Sequence, residues 1–216
     1  MEKNSYEEAR KRMVAGQLVP RGIEDTKILD AFLNIPRHLF VPDRQKKYAY
    51  EDYPLPIGWK QTISQPFIVA LMTQFLHPDK GEKALEIGTG SGYQAAILVY
   101  LGCDVYSIER IPQLAEEAKE MLNSLGLEVK IKVDDGTLGW LEAGPFDKII
   151  VTAAAEDIPQ PLIEQLKNGG RLIMPVGGFF DQELTLVDKF SNDKIVRSGV
   201  GKCVFVPLLG AYGYKE

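Results

Sequence analysis

Leu85-Glu86-Ile87-Gly88-Thr89-Gly90-Ser91-Gly92-Tyr93 decides how this chain is read. Lys83 to Ile87 is a short apolar strand, the glycines follow at once, and residues from about Tyr93 to Leu101 continue as a helix. Glycines at such a join let the backbone approach a ligand, and the helix N-terminus offers free N–H groups. Taken alone, the same turn serves any tight strand-to-helix connection.

Outward from this turn, strand and helix alternate. Asp104 to Ile108 reads as a second strand, Pro112 to Leu125 as a helix with one solvated face, and Glu128 to Val133 as a third strand. Asp147 to Val151 is a fourth, residues 159 to 167 a helix, and Gly170 to Met174 a fifth strand. Strands separated by single helices imply right-handed crossovers, hence an α/β fold with a doubly wound, mostly parallel sheet. Leu184 to Phe190 and Lys194 to Val206 alternate around Ser191-Asn192-Asp193, which predicts a C-terminal β-hairpin at the sheet edge. Upstream, residues 5 to 19 and about Asp25 to Asn34 read as helices. Residues 36 to 62 carry Pro36, Pro42, Pro54, Pro56 and Gly58 among many aromatics, an irregular segment too apolar for a linker. One domain is expected over 1–216: a helical and irregular cover (1–80), a cofactor-binding core (81–176) and a closing edge (177–216).

Two acids give the glycine turn a ligand. Glu109 ends the second strand, twenty-one residues beyond Gly88, where a carboxylate takes both ribose hydroxyls of an adenosine. Asp135, with Gly136, follows the third strand on the same carboxyl edge. Tyr93 stands where the dinucleotide fingerprint needs its third glycine, and Glu86 places negative charge where a pyrophosphate would be repelled. A sulfonium cofactor bearing an ammonium suits that charge better.

Composition narrows the class. The 216 residues are 45% hydrophobic and 25% charged with a net charge of −5, an ordinary globular mix without the basic excess of a nucleic-acid binder. Met1 to Arg12 holds no apolar signal core, no run suits a membrane span, and Cys103 and Cys203 cannot build a disulfide framework or metal site. The expectation is a cytoplasmic protein, with no metal, no nucleic-acid partner and no membrane.

The pattern E-x-G-x-G-x-G over Glu86 to Gly92 resembles the class I methyltransferases that use S-adenosylmethionine, whose fold is Rossmann-like. Val151-Thr152-Ala153-Ala154-Ala155 lacks the Asn/Asp-Pro-Pro-Tyr motif of exocyclic-amine methylases. Further strings resemble the protein-L-isoaspartate O-methyltransferase family and keep its order. They are Met13-Val14 with Gln17-Leu18 and Arg21-Gly22-Ile23; Pro36-Arg37-His38-Leu39-Phe40-Val41-Pro42; Gln61-Thr62-Ile63-Ser64-Gln65-Pro66; Asp135-Gly136-Thr137; Phe146 to Ala155; Leu166 to Gly177; and Phe205-Val206-Pro207-Leu208. One departure is Asp134, where the family usually has glycine.

That resemblance implies methyl transfer from S-adenosylmethionine, with S-adenosylhomocysteine as product, to the free carboxylate of L-isoaspartyl residues in damaged proteins and peptides. The ester then cyclises to a succinimide, which reopens partly to aspartate. It marks Ser64 as catalytic, orienting the acceptor, with Gln65, Phe205, Val206 and Leu208 along the peptide cleft. The implied cofactor set is Gln61, Thr62, Ile63, Glu86, Gly88, Thr89, Gly90, Ser91, Gly92, Glu109, Arg110, Asp135 and Gly136. From local sequence alone, Ser64 reads first as a cap of the helix that begins with Pro66, a reading the resemblance reverses while both roles can coexist. His38 and His77 are expected to pack or make structural hydrogen bonds; Trp59 and Tyr93 either flank the cofactor or fill core. A methyltransferase for small molecules, and a binding module for the cofactor without turnover, fit the same glycine turn.

Overall fold

The computed structural model describes residues 3–191 and 194–215. Helix α1 (Lys3–Met13) widens at Val14–Leu18 into a π-helical turn, where the Val19 amide donates to the Val14 carbonyl, and closes through a 3₁₀ turn at Val19–Arg21. The predicted helix over 5–19 thus changes pitch at Val14, and Met13, Val14 and Leu18 all reach the core. Helix α2 (Thr26–Asn34) starts at Asp25, whose carboxylate accepts from the Lys27 amide at 2.8 Å, a cap worth about 1 kcal/mol. The irregular segment resolves into 3₁₀ turns at Arg37–Phe40 and Asp43–Tyr48 and an antiparallel hairpin of β1 (Leu55–Gly58) and β2 (Gln61–Ile63). Trp59 and Lys60 turn that hairpin at φ 53° and 57°, the positive values a two-residue turn requires. Helix α3 (Pro66–Leu76) follows and ends at His77 in the left-handed region.

From Lys83 onward come β3 (Lys83–Ile87), α4 (Tyr93–Tyr100), β4 (Asp104–Glu109), α5 (Pro112–Ser124), β5 (Lys130–Val133) and β6 (Phe146–Val151). They are followed by α6 (Gln160–Glu164), β7 (Leu166–Gly178), β8 (Asp181–Lys189) and β9 (Ile195–Cys203). The sheet order is β5-β4-β3-β6-β7-β8-β9, parallel from β5 to β7 and antiparallel beyond. This is the expected Rossmann-like α/β fold. The chain grows outward from β3 to β5, then returns to β6 on the other side of β3, which creates a ligand crevice at the carboxyl end of β3. Side chains alternate between two cores. Ala84, Ile150 and Ile173 face the layer holding α2, α3 and α4, while Leu85, Ile87, Ile149 and Leu172 face the side of α6.

Three expectations change. The helix over 159–167 shortens to Gln160–Glu164, because Leu166 onward already pairs with Phe146. The fifth strand is longer than Gly170–Met174, and its extension to Gly178 turns directly into Asp181 of β8. The edge is therefore a three-stranded meander, β7-β8-β9, rather than a separate hairpin. The sequence places its second turn at Ser191-Asn192-Asp193, of which Asn192 and Asp193 lie outside the described residues. Among the described residues, no helix is long and apolar enough to cross a membrane.

Candidate active site

The β2–α3 segment, the carboxyl ends of β3, β4 and β6, and the tail after β9 line an open cavity. The hairpin and its exit contribute Gln61, Thr62, Ile63 and Ser64; the glycine turn contributes Glu86, Gly88, Thr89, Gly90 and Ser91. Glu109 and Arg110 arrive from β4, Gly136 from the loop after β5, and Val206 and Leu208 from the tail. Tyr93, Gln94, Ile111, Thr152 and Pro207 complete much of the wall. Tyr93, expected either to flank the cofactor or to fill core, is fully buried and also lines the cavity.

Close packing shapes the turn. Gly88 has φ 92°, and a Cβ there would lie 2.5 Å from the Thr152 hydroxyl oxygen. That hydroxyl is 2.8 Å from the Gly88 carbonyl oxygen and 3.0 Å from that of Ile87, joining β6 to the turn. A Cβ on Gly136 would meet Ile87 at 2.4 Å, so the loop after β5 lies directly against the end of β3.

The two acids differ in what they hold. Glu109 accepts from the Gly90 amide at 2.9 Å through Oε2 and from the Ile111 amide at 3.0 Å through Oε1, fixing the glycine turn to its own loop. Glu86 is fully buried; its Oε2 accepts from the Ser107 hydroxyl at 2.5 Å, and that hydroxyl is 2.6 Å from the one of Thr89. Its Oε1 has no hydrogen-bond partner among the described residues. Burial pushes the Glu86 carboxyl up to about 8, with the Ser107 hydrogen bond opposing the rise, the Glu109 charge adding to it and the Ala95 amide opposing it. A cation placed at that carboxylate would relieve the cost of ionising it.

Four expected residues stand off the wall. Asp135 turns its carboxylate to the Thr137 amide and hydroxyl, at 2.9 and 2.7 Å, and to the Ala211 amide at 2.7 Å, so it caps a 3₁₀ turn and anchors the tail. The unexpected charge of Asp134 is neutralised by Lys132 at 2.7 Å. Gly92 caps α4 and packs toward Leu122. Gln65 donates to the Asp52 carbonyl at 2.9 Å. Phe205 is held through its backbone by the buried Gln182, which accepts from its amide at 2.6 Å and donates to its carbonyl at 3.2 Å.

The helix-cap reading of Ser64 does not hold. Helix α3 starts at Pro66 with Gln65 in the cap position and no side-chain cap bond. Ser64 instead lines the cavity, its carbonyl accepts from Arg37 Nη2 at 2.7 Å, and its hydroxyl bonds no described residue. Trp59 neither flanks the cavity nor fills core; half-exposed, it sits at the hairpin tip. His38 is away from the cavity, stacked on Tyr6 and 2.7 Å from the Tyr50 hydroxyl, whereas exposed His77 does not pack and serves as the α3 terminus. Burial raises the thiols of Cys103 and Cys203 to about 12 and 11. Among the described residues, no cluster of His, Cys, Asp or Glu is able to hold a metal ion. Sequence reasoning missed Arg37, Ser107, Thr152 and Gln182, whose contacts are all made across the fold.

The comparisons agree with this geometry. The family model described as Protein-L-isoaspartate(D-aspartate) O-methyltransferase (PCMT) matches residues 9–213. The protein-L-isoaspartate O-methyltransferase of Geobacter metallireducens is 53% identical over 97% of this chain and 98% of its own. That of Dictyoglomus thermophilum is 52% identical over 98% and 96%. A solved protein-L-isoaspartate O-methyltransferase superposes with a TM-score of 0.84 at 32% identity, over 94% of this chain and 67% of its own. A Plasmodium falciparum structure, in complex with S-adenosyl-L-homocysteine, matches in fold with a TM-score of 0.80 at 24% identity, over 94% and 98%. The chain belongs to the protein-L-isoaspartate(D-aspartate) O-methyltransferase family.

Proposed function

We propose that this protein is a protein-L-isoaspartate O-methyltransferase, which methylates the free carboxylate of L-isoaspartyl residues in polypeptides. The observation that carries this reading is full-length identity above 50% to relatives of that name. The cavity suits the cofactor, since Glu86 presents a fully buried carboxylate beside Gly88, where a Cβ would meet the Thr152 hydroxyl. S-adenosylmethionine, when bound, supplies a methyl group already activated on a sulfonium. Glu86 would receive its cationic end; Gly88, Thr89, Gly90, Ser91, Gln61, Thr62 and Ile63 would surround it; Glu109, Arg110 and Gly136 would take the nucleoside. Asp135 would act from behind, by holding the loop that presents Gly136, and Gly92 by starting α4.

The acceptor carboxylate has a pKa of roughly 3.5–4 and is ionised at neutral pH, so no general base is needed. The task left to the protein is orientation, which is worth several kcal/mol when oxygen, carbon and sulfur are held in line. Ser64 would steady the acceptor oxygen through its hydroxyl, while Val206 and Leu208 bound the peptide, backed by Gln65 and Phe205. Once the ester forms, attack by the following main-chain nitrogen expels methanol and closes a succinimide without further help. We read the chain as one domain, residues 1–80 covering the site, and as cytoplasmic, where aged intracellular polypeptides are its partners.

Repair itself is the test. An isoaspartyl peptide incubated with the protein and S-adenosylmethionine should yield succinimide and then the aspartyl peptide, resolved by chromatography. Recovery of unchanged isoaspartyl peptide under conditions where the cofactor binds would reject the reading.

A further inference from the structure

Arg37 is fully buried, and its guanidinium makes no ion pair among the described residues. The acid that bears on it, Asp52, accepts from Arg21 at 2.5 Å through Oδ2 and makes no ion pair with Arg37 among the described residues. Its Nη1 has no hydrogen-bond partner there. Burial brings the group down to about 10, so it remains charged at neutral pH. A buried, unpaired cation costs stability, so its position calls for a use.

Its other two nitrogens show one. Nε donates to the Ala49 carbonyl at 2.8 Å and Nη2 to the Ser64 carbonyl at 2.7 Å. The guanidinium carbon lies 5.0 Å from the centroid of the Tyr93 ring, which is held edge-on by Phe32 and Phe40. Ser64 and Tyr93 both line the cavity. The short stretch from β2 to α3 thus has two side-chain tethers among the described residues, Arg37 on Ser64 and Gln65 on Asp52.

We propose that Arg37 is a positioning residue for methyl transfer, fixing the Ser64 main chain against Tyr93 and thereby setting where the Ser64 hydroxyl meets the acceptor carboxylate. This rests on the function proposed above. Only a planar fork reaches two diverging carbonyls and an aromatic face at once; a lysine keeps the charge and loses the fork.

A double-mutant cycle tests it. R37K should lower kcat roughly tenfold to a hundredfold, the loss that misplacement by about 1 Å brings, while affinity for S-adenosylhomocysteine is unchanged. In the S64A background the same substitution should change kcat by no more than about twofold, because the hydroxyl it positions is gone. Losses that multiply, or a parallel loss of cofactor affinity, would overturn the inference and leave Arg37 a packing residue. Should R37K be too unstable to assay, the wild-type protein labelled with ¹⁵N-arginine serves instead. The Arg37 Nε–H signal should move on adding an isoaspartyl peptide but not its aspartyl twin, and equal responses would overturn the proposal. Failure of the functional reading is distinct, since it shows as a wild-type enzyme inactive on isoaspartyl peptides.

Discussion

At Gly88 the backbone stands at φ 92° with the Thr152 hydroxyl 2.5 Å from where a Cβ would be. Gly88→Ala should therefore cost about 1–3 kcal/mol of stability and weaken cofactor binding, read by thermal melts with and without S-adenosylhomocysteine. Ser64 separates chemistry from folding. Because it caps no helix, Ser64→Ala should leave stability within about 0.5 kcal/mol of wild type while kcat falls. A melting shift equivalent to a lost cap, about 1 kcal/mol, would contradict the placement of Ser64. Glu86 makes a pH prediction. Folding raises its carboxyl from 4.5 to about 8, so in that window the folded protein holds a proton that the unfolded chain has lost. Stability of the ligand-free protein should then fall as pH rises from about 4.5 to about 8 through this group, and Glu86→Gln should flatten that fall. A cation bound there favours the ionised form, so cofactor affinity should rise over the same range and proton release should appear in calorimetry. At this scale the placement of the glycine turn, Glu86 and Glu109 on the cavity was legible because each sits at a strand end. Arg37 and Thr152 were not, because only the folded chain shows that a buried arginine reaches the Ser64 carbonyl, or that Thr152 closes on Gly88.

Among the elements, the alternation from β3 to β6 was read nearly residue for residue, because buried parallel strands and amphipathic helices have different periods. The hairpin of β1 and β2 was hidden. Its turn is Trp59-Lys60 rather than the Asn-Gly that signals such a turn, so positive φ comes from the pairing of β1 with β2 and not from residue preference. That hairpin nevertheless delivers Gln61 to Ser64 to the cavity. The closing meander was half seen, since a strand shared between parallel and antiparallel neighbours looks the same in sequence either way. Gln182 of β8 holds both backbone groups of Phe205, standing in for a strand partner where the ladder has ended. Gln182→Leu should cost about 1–3 kcal/mol by leaving those groups unpaired. It should also raise KM for the peptide more than for the cofactor, because the tail that follows forms the cavity wall. Equal KM changes in steady-state kinetics would place the tail outside peptide binding.

Over the whole molecule, the cavity joins parts of the chain far apart in sequence: the N-terminal layer, the strand ends and the tail tied back through Asp135. Ligand binding should therefore stabilise the fold as a unit. S-adenosylhomocysteine at a hundred times its Kd should add about 2.7 kcal/mol and raise Tm, whereas NAD should give no shift. The central claim is that this cavity methylates a misplaced carboxylate. Its most direct test is transfer of labelled methyl from S-adenosylmethionine to two peptides that differ only in L-isoaspartate against L-aspartate. Base-labile label on the isoaspartyl peptide alone is the predicted result. Equal labelling of both peptides, or of neither while the cofactor binds, would contradict it.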